Sequence, residues 1–571
     1  MPRYVLGVSA HYHDAAAALL ADGQVVAASS EERFSRVKHD ASLPLRSVRF
    51  CLAQAGVRIE DVEAVVYYEK PIRKFERIVV TQMASFPRSR RSFTRAMRVW
   101  LADRLWLPAT LPAALGCHPS RLYWSDHLLS HAASAFYTSP YAEAAVLVAD
   151  GVGEWATTSL WRGGPGGLER IAEIRFPHSI GLLYSAFTAW LGFAVNDGEY
   201  KVMGMAAFGE PTHEDKVRRV LRSLPGGGFE IDLAYVAWHH SATDSISALF
   251  EGLFGPSRAP GAVFDPTTAE GKYAADVAAS IQKVTEDTLV ELANELHRRT
   301  GLDHLCYAGG VALNSVANQK LLARTPFRSL WVHPAAGDAG GAVGAALWAW
   351  HEVVGGARSP PLTRPDLGWE ADDGATRTLL TDLGVSFEEV DPAVRAAEDI
   401  ASGRIVGWCQ GRSEWGPRAL GFRSILADPA RPGMREAVNT RIKFRELFRP
   451  FAPSVHVAPA EDWFELTPGA DQPLRWMLLV APVREPALDW ATTHVDGSAR
   501  VHLVEPEVNP LFHRLIGELG ARTGRAAVLN TSFNLKGEPI VTTPLDALAT
   551  FRRSGLDALY VGPFRVAKDE A

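Results

Sequence analysis

Two separated stretches share one design, and that repetition constrains the fold more than composition does. "YVLGVSA" (4–10), followed by "AAAALLADGQVVAASSEERF", reads as a strand, a turn and a hairpin around Asp22-Gly23, with apolar residues alternating along each arm. "AVLVADGVGEWATTSLW" (145–161) repeats the pattern: an apolar strand ends at Asp150-Gly151, turns, and returns as a second strand. Helical spacing fills the intervals, in "SVRFCLAQAG", "SIGLLYSAFTAWLG" and the long "EGKYAADVAASIQKVTEDTLVELANELHRRTG" with its glycine stop. The strands in "HLCYAGGVALN" and "LWVHPAAGDAGGAVGAALWAW" each run through small residues into a helix. This alternation predicts a duplicated α/β architecture with sheets covered by helices.

At 571 residues the chain is too long for one core. The Gly/Pro-rich "GGARSPPLTRPDLG" interrupts the pattern, which sets the expected division: an N-terminal domain over 1–356, a linker over 357–372 and a second α/β domain over 373–571. A net charge of -6 argues against a nucleic-acid partner and for small molecules or protein. The four cysteines show no C-x-x-C spacing and read as buried thiols. No cleavable leader precedes the first strand, and no uncharged run reaches the roughly 18 residues of a membrane span. The expectation is a cytoplasmic protein with no membrane partner. Residues 86–106, "FPRSRRSFTRAMRVWLADRLW", form a basic amphipathic insertion that reads as a solvated helix face, with acceptor binding or a membrane-surface role as alternatives.

"SDHLLSHAASAFYTSP" (125–140) carries His127 and His131 four apart on one helical face, the spacing a metal needs. Asp126 points about 100° off that face and reads as a residue behind the ligands or at the surface. Carboxylates can arrive from both halves of the duplication: Asp150 at the end of its strand, and Asp338 in the strand-to-helix turn "HPAAGDAGG". Two imidazoles and two carboxylates suit ferrous iron or zinc. Glycine turns at "AGGVALN" and "NDGEYKVMGMAAFGE", with Asp150-Gly151, outline a nucleotide cleft whose candidate contacts are Asp14, Gly151, Glu199, Lys201, Gly309, Gly310 and Asn314. Further on, "QGRSEWGPRALGFRS" and "NTRIKFRELFRPFAPSV" concentrate Arg412, Arg418, Arg423, Arg441, Lys443, Arg445 and Arg449 among aromatics, while Arg500, Asn530, Ser532 and Asn534 follow. Cations interleaved with aromatics, Gly and Pro are aimed at an anion such as ATP with a second phosphate.

With these motifs assembled, the chain resembles the NodU/CmcH family of carbamoyltransferases over nearly its whole length. The resemblance rests on "HDAAAALLADG", "EERFSRVKHD", the His127/His131 pair, "DGVGEW", "GEYKVMGMAAFG", "GGVALN", "GDAGGAVGAAL", "GPRALGFRSILAD", "RPFAPSV" and "LNTSFNLKGEPIV". It implies a duplicated actin-like (ASKHA, TsaD-like) N-terminal domain and a YrdC-like C-terminal domain whose K-x-R and S-x-N signature falls on Lys443, Arg445, Ser532 and Asn534. It implies metal ligands at His127, His131, Asp150 and Asp338, with Fe2+ placed ahead of Zn2+, and Mg2+ accompanying ATP. Carbamoyl phosphate and ATP would meet Arg418, Lys443, Arg449, Arg500, Asn530 and Ser532, with Lys443 and Arg449 acting in formation of carbamoyl adenylate. His13, beside Asp14, would serve as a neutral base that takes a proton from the hydroxyl of a small natural product. A histidine that only binds adenylate is the alternative, and His11 lies close by. The rival readings are a small-molecule kinase of actin-like fold and a nucleotide-binding module without turnover. A homodimer is compatible with all of them, and the basic insertion argues against a strongly cationic acceptor.

Overall fold

The structure, a computed structural model, describes residues 2–446 and 448–568. Strands β1 (Tyr4–Ser9), β2 (Ala16–Ala21), β3 (Gln24–Ser30), β4 (Val62–Tyr67) and β5 (Leu122–Trp124) form one sheet in the order β3-β2-β1-β4-β5. The first three are antiparallel neighbours, whereas β4 and β5 add in parallel. A second sheet repeats this arrangement with β6 (Ala144–Ala149), β7 (Ala156–Gly164) and β8 (Gly167–Arg175), then His304–Ala308 and Ser329–Val332 in parallel beyond β6. The duplication expected from the two strand-turn-strand units is therefore present strand for strand. Both central strands are mostly apolar and, apart from Tyr4, buried, as sheets covered on both faces require.

Two helices pass between the sheets, His127–Phe136 and Asp338–Glu352. They cross backbone to backbone. A Cβ on Gly344 would lie 1.7 Å from the Ser130 carbonyl oxygen, and one on Gly7 of β1 would lie 1.9 Å from that of Ala342. Only glycine permits either approach. The run of small residues in "GDAGGAVGAAL" is thus what brings the Asp338 helix against both β1 and the His127 helix.

The C-terminal part holds an eight-stranded mixed sheet. Its four central neighbours are Ala558–Val561, Val406–Cys409, Arg423–Ala427 and Ala527–Ser532, in that spatial order, with Ala452–His456 beyond the last. The whole chain is thus built of mixed α/β sheets, and one continuous apolar cluster runs from Leu305 and Leu330 to Leu420, Ala452 and Trp476. Between Glu352 and Asp373 there is no helix or strand, yet this segment is pinned on both sides: Leu362 N–H donates to Thr138, and Trp415 N–H donates to Pro365.

"NDGEYKVMGMAAFGE" opens on a turn and runs on into the helix Glu199–Ala206, with Gly198 at its start. Its Gly204 faces Phe448 and Pro450 of the C-terminal part at ordinary contact distance. No helix among the described residues is long and apolar enough to cross a membrane.

Candidate active site

His127 and His131 stand one turn apart on their helix, and their rings pack edge to face 4.8 Å apart. Asp150 follows β6, and Asp338 opens the neighbouring helix. His127 Nε2 lies 3.0 Å from Asp150 Oδ2 and 3.7 Å from Asp338 Oδ1, and His131 Nε2 lies 3.4 Å from Asp338 Oδ1 and 3.9 Å from Asp150 Oδ2. All four side chains are buried. Four donors at about 2.0–2.2 Å from one centre stand roughly 3–4 Å apart, so these spacings suit a single divalent cation. Asp338 Oδ2 and His131 Nε2 are buried without a hydrogen-bond partner, which also fits a group they would hold. Burial alone would raise the two carboxyls, but His127 and His131, with the Gly310 N–H on Asp150 (2.8 Å) and His13 near Asp338, hold both below the ordinary range.

His13 sits beside this cluster, its Nε2 3.8 Å from Asp338 Oδ2 and its Nδ1 2.9 Å from Asp14 Oδ2. Burial opposes its charge, but the Asp338 field, the Asp14 hydrogen bond and the Asp150 field outweigh burial and lift it to about 9. The chain alone therefore keeps His13 protonated near neutral pH, in contrast to the neutral base expected from the sequence. The reason is the carboxylate charge around it, which a bound cation would offset. His11 is pushed down to about 4, mainly by burial, and makes no contact with the carboxylates.

Five residues here received no role from the sequence. Glu154 accepts the His127 N–H through both oxygens (3.1 Å each) and the Lys70 N–H (2.7 Å), and burial, then Asp126, pushes its carboxyl up to about 7. Glu69 Oε2 lies 3.9 Å from His127 Nδ1. His39 Nδ1 meets Asp14 at 2.7 Å and its Nε2 meets Asp197 at 3.2 Å, while Lys38 also pairs with Asp197. Against its burial, these two carboxylates raise His39 to about 10. His11, Asp14, His39 and Asn196 all hold left-handed backbone, at φ 77°, 53°, 55° and 66°, a cluster of strain of the kind found at functional sites. Glu154 and His39 do lie inside the motifs "DGVGEW" and "EERFSRVKHD", and Glu69 stands two residues beyond β4.

The residues expected to bind nucleotide divide. Glu199 accepts from Ser185 and from the Asn196 and Gly198 N–H groups. Asn314 caps its own helix and pairs with Gln282 on both side-chain atoms. The Gly309 N–H donates to Ala336, and the Gly151 carbonyl accepts from Ser179. Lys201 leaves the cleft to pair with Glu446 at 2.9 Å. Of this group, Asp14 reaches His13, and the Gly310 N–H reaches Asp150.

A second cluster lies where the two parts of the chain meet. Lys443 is buried, and its Nζ donates to the Ser532 carbonyl, to Asn534 Oδ1 (2.9 Å) and to the Asn534 carbonyl (3.1 Å). Burial, then Arg445, Arg449 and Lys38, holds its pKa well below that of an ordinary lysine. Arg445 donates to Asn439 (3.0 Å) and lies over Phe451, Arg449 lies over Tyr200, and Arg418 donates to the Leu313 carbonyl (3.2 Å). Arg500 has no hydrogen bond or ion pair among the described residues, and its Nε is buried. Its pKa is lowered by burial and then by Arg418, Arg445 and Arg449. Asn530 donates to Ala419 and Ser454 and leaves its Oδ1 buried and unpaired. Among the described residues, no carboxylate other than Glu446 pairs with these cations. Such a group of partly buried cations calls for a multiply charged anion.

Three of the sequence's candidate cations do not join it. Arg423 is buried with donors on five backbone carbonyls, including Gln410 and Thr542, and Arg412 holds Val26, Leu367 and Gly368. Arg441 pairs with Asp557 at the surface. They brace the chain rather than face a ligand.

Residues 36–39 connect the clusters. Arg36 donates to the carbonyls of Pro539 and Ile540, Lys38 lies within the field of Lys443, and His39 holds Asp14.

Comparison with known proteins gives two family matches, "Carbamoyltransferase N-terminus" over residues 4–347 and "Carbamoyltransferase C-terminus" over residues 397–568. An uncharacterized protein of Synechocystis sp. is 45% identical over 99% of this chain and 97% of its own length. Nodulation protein NolNO of Sinorhizobium fredii is 38% identical over 98% of this chain and 79% of its own. The 3'-hydroxymethylcephem-O-carbamoyltransferase of Amycolatopsis lactamdurans is 34% identical over 45% of this chain and 48% of its own.

Proposed function

The chain is a carbamoyltransferase of the NodU/CmcH family, and from that membership we propose an ATP-dependent O-carbamoyltransferase that works in two steps at two joined sites. The observation that carries the reading is the group of partly buried cations, Arg418, Lys443, Arg445, Arg449 and Arg500, bridged by residues 36–39 to the His13 and His/Asp cluster. The N-terminal part is read as an actin-like, TsaD-like domain on the strength of its repeated sheet order. The C-terminal part is read as a YrdC-like domain on the strength of the Lys443–Asn534 pairing. The division into 1–356, a linker and 373–571 belongs to the same proposal.

In the first step carbamoyl phosphate and ATP, with water consumed, give carbamoyl adenylate, phosphate and pyrophosphate. Arg418, Lys443, Arg445, Arg449 and Arg500 supply fixed positive charge to the phosphoryl oxygens and the departing pyrophosphate. Asn530, Ser532 and Asn534 orient the carbamoyl group and Lys443. In the second step the acceptor oxygen attacks the carbamoyl carbon and AMP leaves. His13, neutral once the carboxylate charge around it is offset, takes the acceptor proton at Nε2 while Asp14, held by His39, fixes the ring through Nδ1. A divalent metal held by His127, His131, Asp150 and Asp338 would supply positive charge that orients and polarises the adenylate. The acceptor is read as a hydroxylated small molecule, consistent with the hydroxymethyl substrate in the name of the Amycolatopsis relative.

Metal-loaded protein given carbamoyl phosphate and ATP should release pyrophosphate and form carbamoyl adenylate, and absence of both refutes the reading. Lys443→Ala should stop this first step. His13→Asn should keep it and slow transfer to an acceptor by at least about 100-fold. Equal loss of both steps in His13→Asn would remove the base assignment.

A further inference from the structure

The carbamoyl chemistry makes no use of the helical insertion between β4 and β5. It comprises the helices Pro71–Ala84, Arg90–Ala102 and Leu107–Leu115. Residues 71–106 contain nine cations against two acids, Glu76 and Asp103, a local charge of +7 in a chain whose net charge is -6. Arg90, Arg91, Arg95 and Arg98, with Thr94, line an open groove of about 640 Å³. None of these four arginines has an ion-pair partner among the described residues. No residue of the Arg90–Ala102 helix is fully buried. The same insertion exposes large apolar side chains: Met83 at 66%, Phe86 at 68%, Leu101 at 57% and Trp106 at 59%.

We infer that this insertion docks the protein on an anionic phospholipid surface. Lipid phosphates answer the unpaired arginines, and the headgroup boundary accepts the neighbouring apolar and aromatic side chains, a combination that interfacial helices use. A soluble polyanion would satisfy the charge and leave Met83, Phe86, Leu101 and Trp106 in water. A second copy across a twofold axis would set the arginine stripe against itself. Docking of this kind needs no spanning segment.

The insertion is rooted at the edge of the N-terminal cluster. Lys74 donates to Glu69 at 2.7 Å and lies 5.3 Å from the ring of Tyr12, which packs on His13 at 4.4 Å. The Pro71–Ala84 helix spans about 20 Å, so a docked protein keeps the Tyr12–His13 edge close to the headgroups.

Co-sedimentation with phosphatidylcholine vesicles, with and without phosphatidylglycerol, tests this on the full-length protein. Binding should require phosphatidylglycerol and weaken with salt. Arg91→Gln with Arg95→Gln should lower the partition coefficient roughly 30-fold, about fivefold per arginine. Met83→Ser with Phe86→Ser should also lower it, and unchanged melting temperatures would confirm that these surface variants fold. Absence of vesicle binding, or equal binding to neutral vesicles, overturns the inference. So does heparin binding that the arginine pair abolishes and the Met83/Phe86 pair leaves intact, in the absence of vesicle binding. A dimer in light scattering that the arginine variant dissociates, again without vesicle binding, assigns the surface to a second copy. None of these outcomes depends on carbamoyl adenylate formation, which is measured separately.

Discussion

Replacing Arg500 with methionine should separate stability from ligand binding. Among the described residues the guanidinium has no hydrogen-bond or ion-pair partner, and Arg418, Arg445 and Arg449 repel it. Methionine keeps much of the volume and removes the charge. Replacing a buried ion by an apolar side chain is commonly neutral or stabilising by about 1–4 kcal/mol, and the low end applies because Arg500 is only partly buried. At about 2–4 °C per kcal/mol for a domain of this size, the ligand-free variant should melt at or up to roughly 4 °C above the parent protein.

Pyrophosphate reverses the order. At one hundred times its dissociation constant, a ligand stabilises by about 2.7 kcal/mol, or roughly 5–10 °C on the same scale. Loss of a buried charge-assisted contact worth about 2.7 kcal/mol weakens binding about 100-fold. At the same concentration the variant then gains only about 0.4 kcal/mol, roughly 1 °C. Differential scanning calorimetry with and without pyrophosphate reads both quantities. A variant that melts several degrees lower without ligand and keeps the full pyrophosphate shift would refute the account of an uncompensated cation cluster.

The four-ligand cluster makes its own prediction. Purified protein should bind Fe2+ or Zn2+ and gain melting temperature from it, whereas Asp338→Asn and His131→Gln should lose both. Metal content by plasma mass spectrometry that stayed equal in all three would exclude the assignment. His39 predicts a pH effect: its pKa is raised from 6.5 to about 10, so its stabilising contribution is complete below about pH 6.5 and disappears as pH rises through about 10. His39→Gln should therefore flatten the alkaline side of the melting-temperature profile, and an unaltered profile would show that the His39–Asp14–Asp197 bridge does not contribute.

The duplicated sheets were legible because each central strand is a short apolar run closed by an acidic or small residue, and the pattern occurs twice. His127 and His131 were legible because helix periodicity alone puts them on one face. Glu154 and His39 were not, since their contacts join residues 27 and 25 positions apart through loops that no periodicity describes. The arginines show the same limit. Arg423 and Arg449 stand in equally cationic surroundings, yet one is closed off by five carbonyls and the other lies over Tyr200 near the interface. Which neighbour a guanidinium finds depends on chain crossings, and composition does not encode them.

The glycine contact between the Asp338 and His127 helices bears on what the four-ligand cluster can select. Side-chain packing normally leaves room for a cavity to grow or shrink by a methylene, but here the spacing is set by backbone against backbone at Gly344 and Ser130. No side chain lies between the helices at that crossing to be exchanged for a larger or smaller one. Drift in sequence can therefore alter the donor atoms offered to a cation but has little means of altering the size of the space between them. Discrimination among ions of similar charge would then rest on the nitrogen-to-oxygen balance of the donors, and a shift in preference should require exchanging a ligand rather than repacking the core around it.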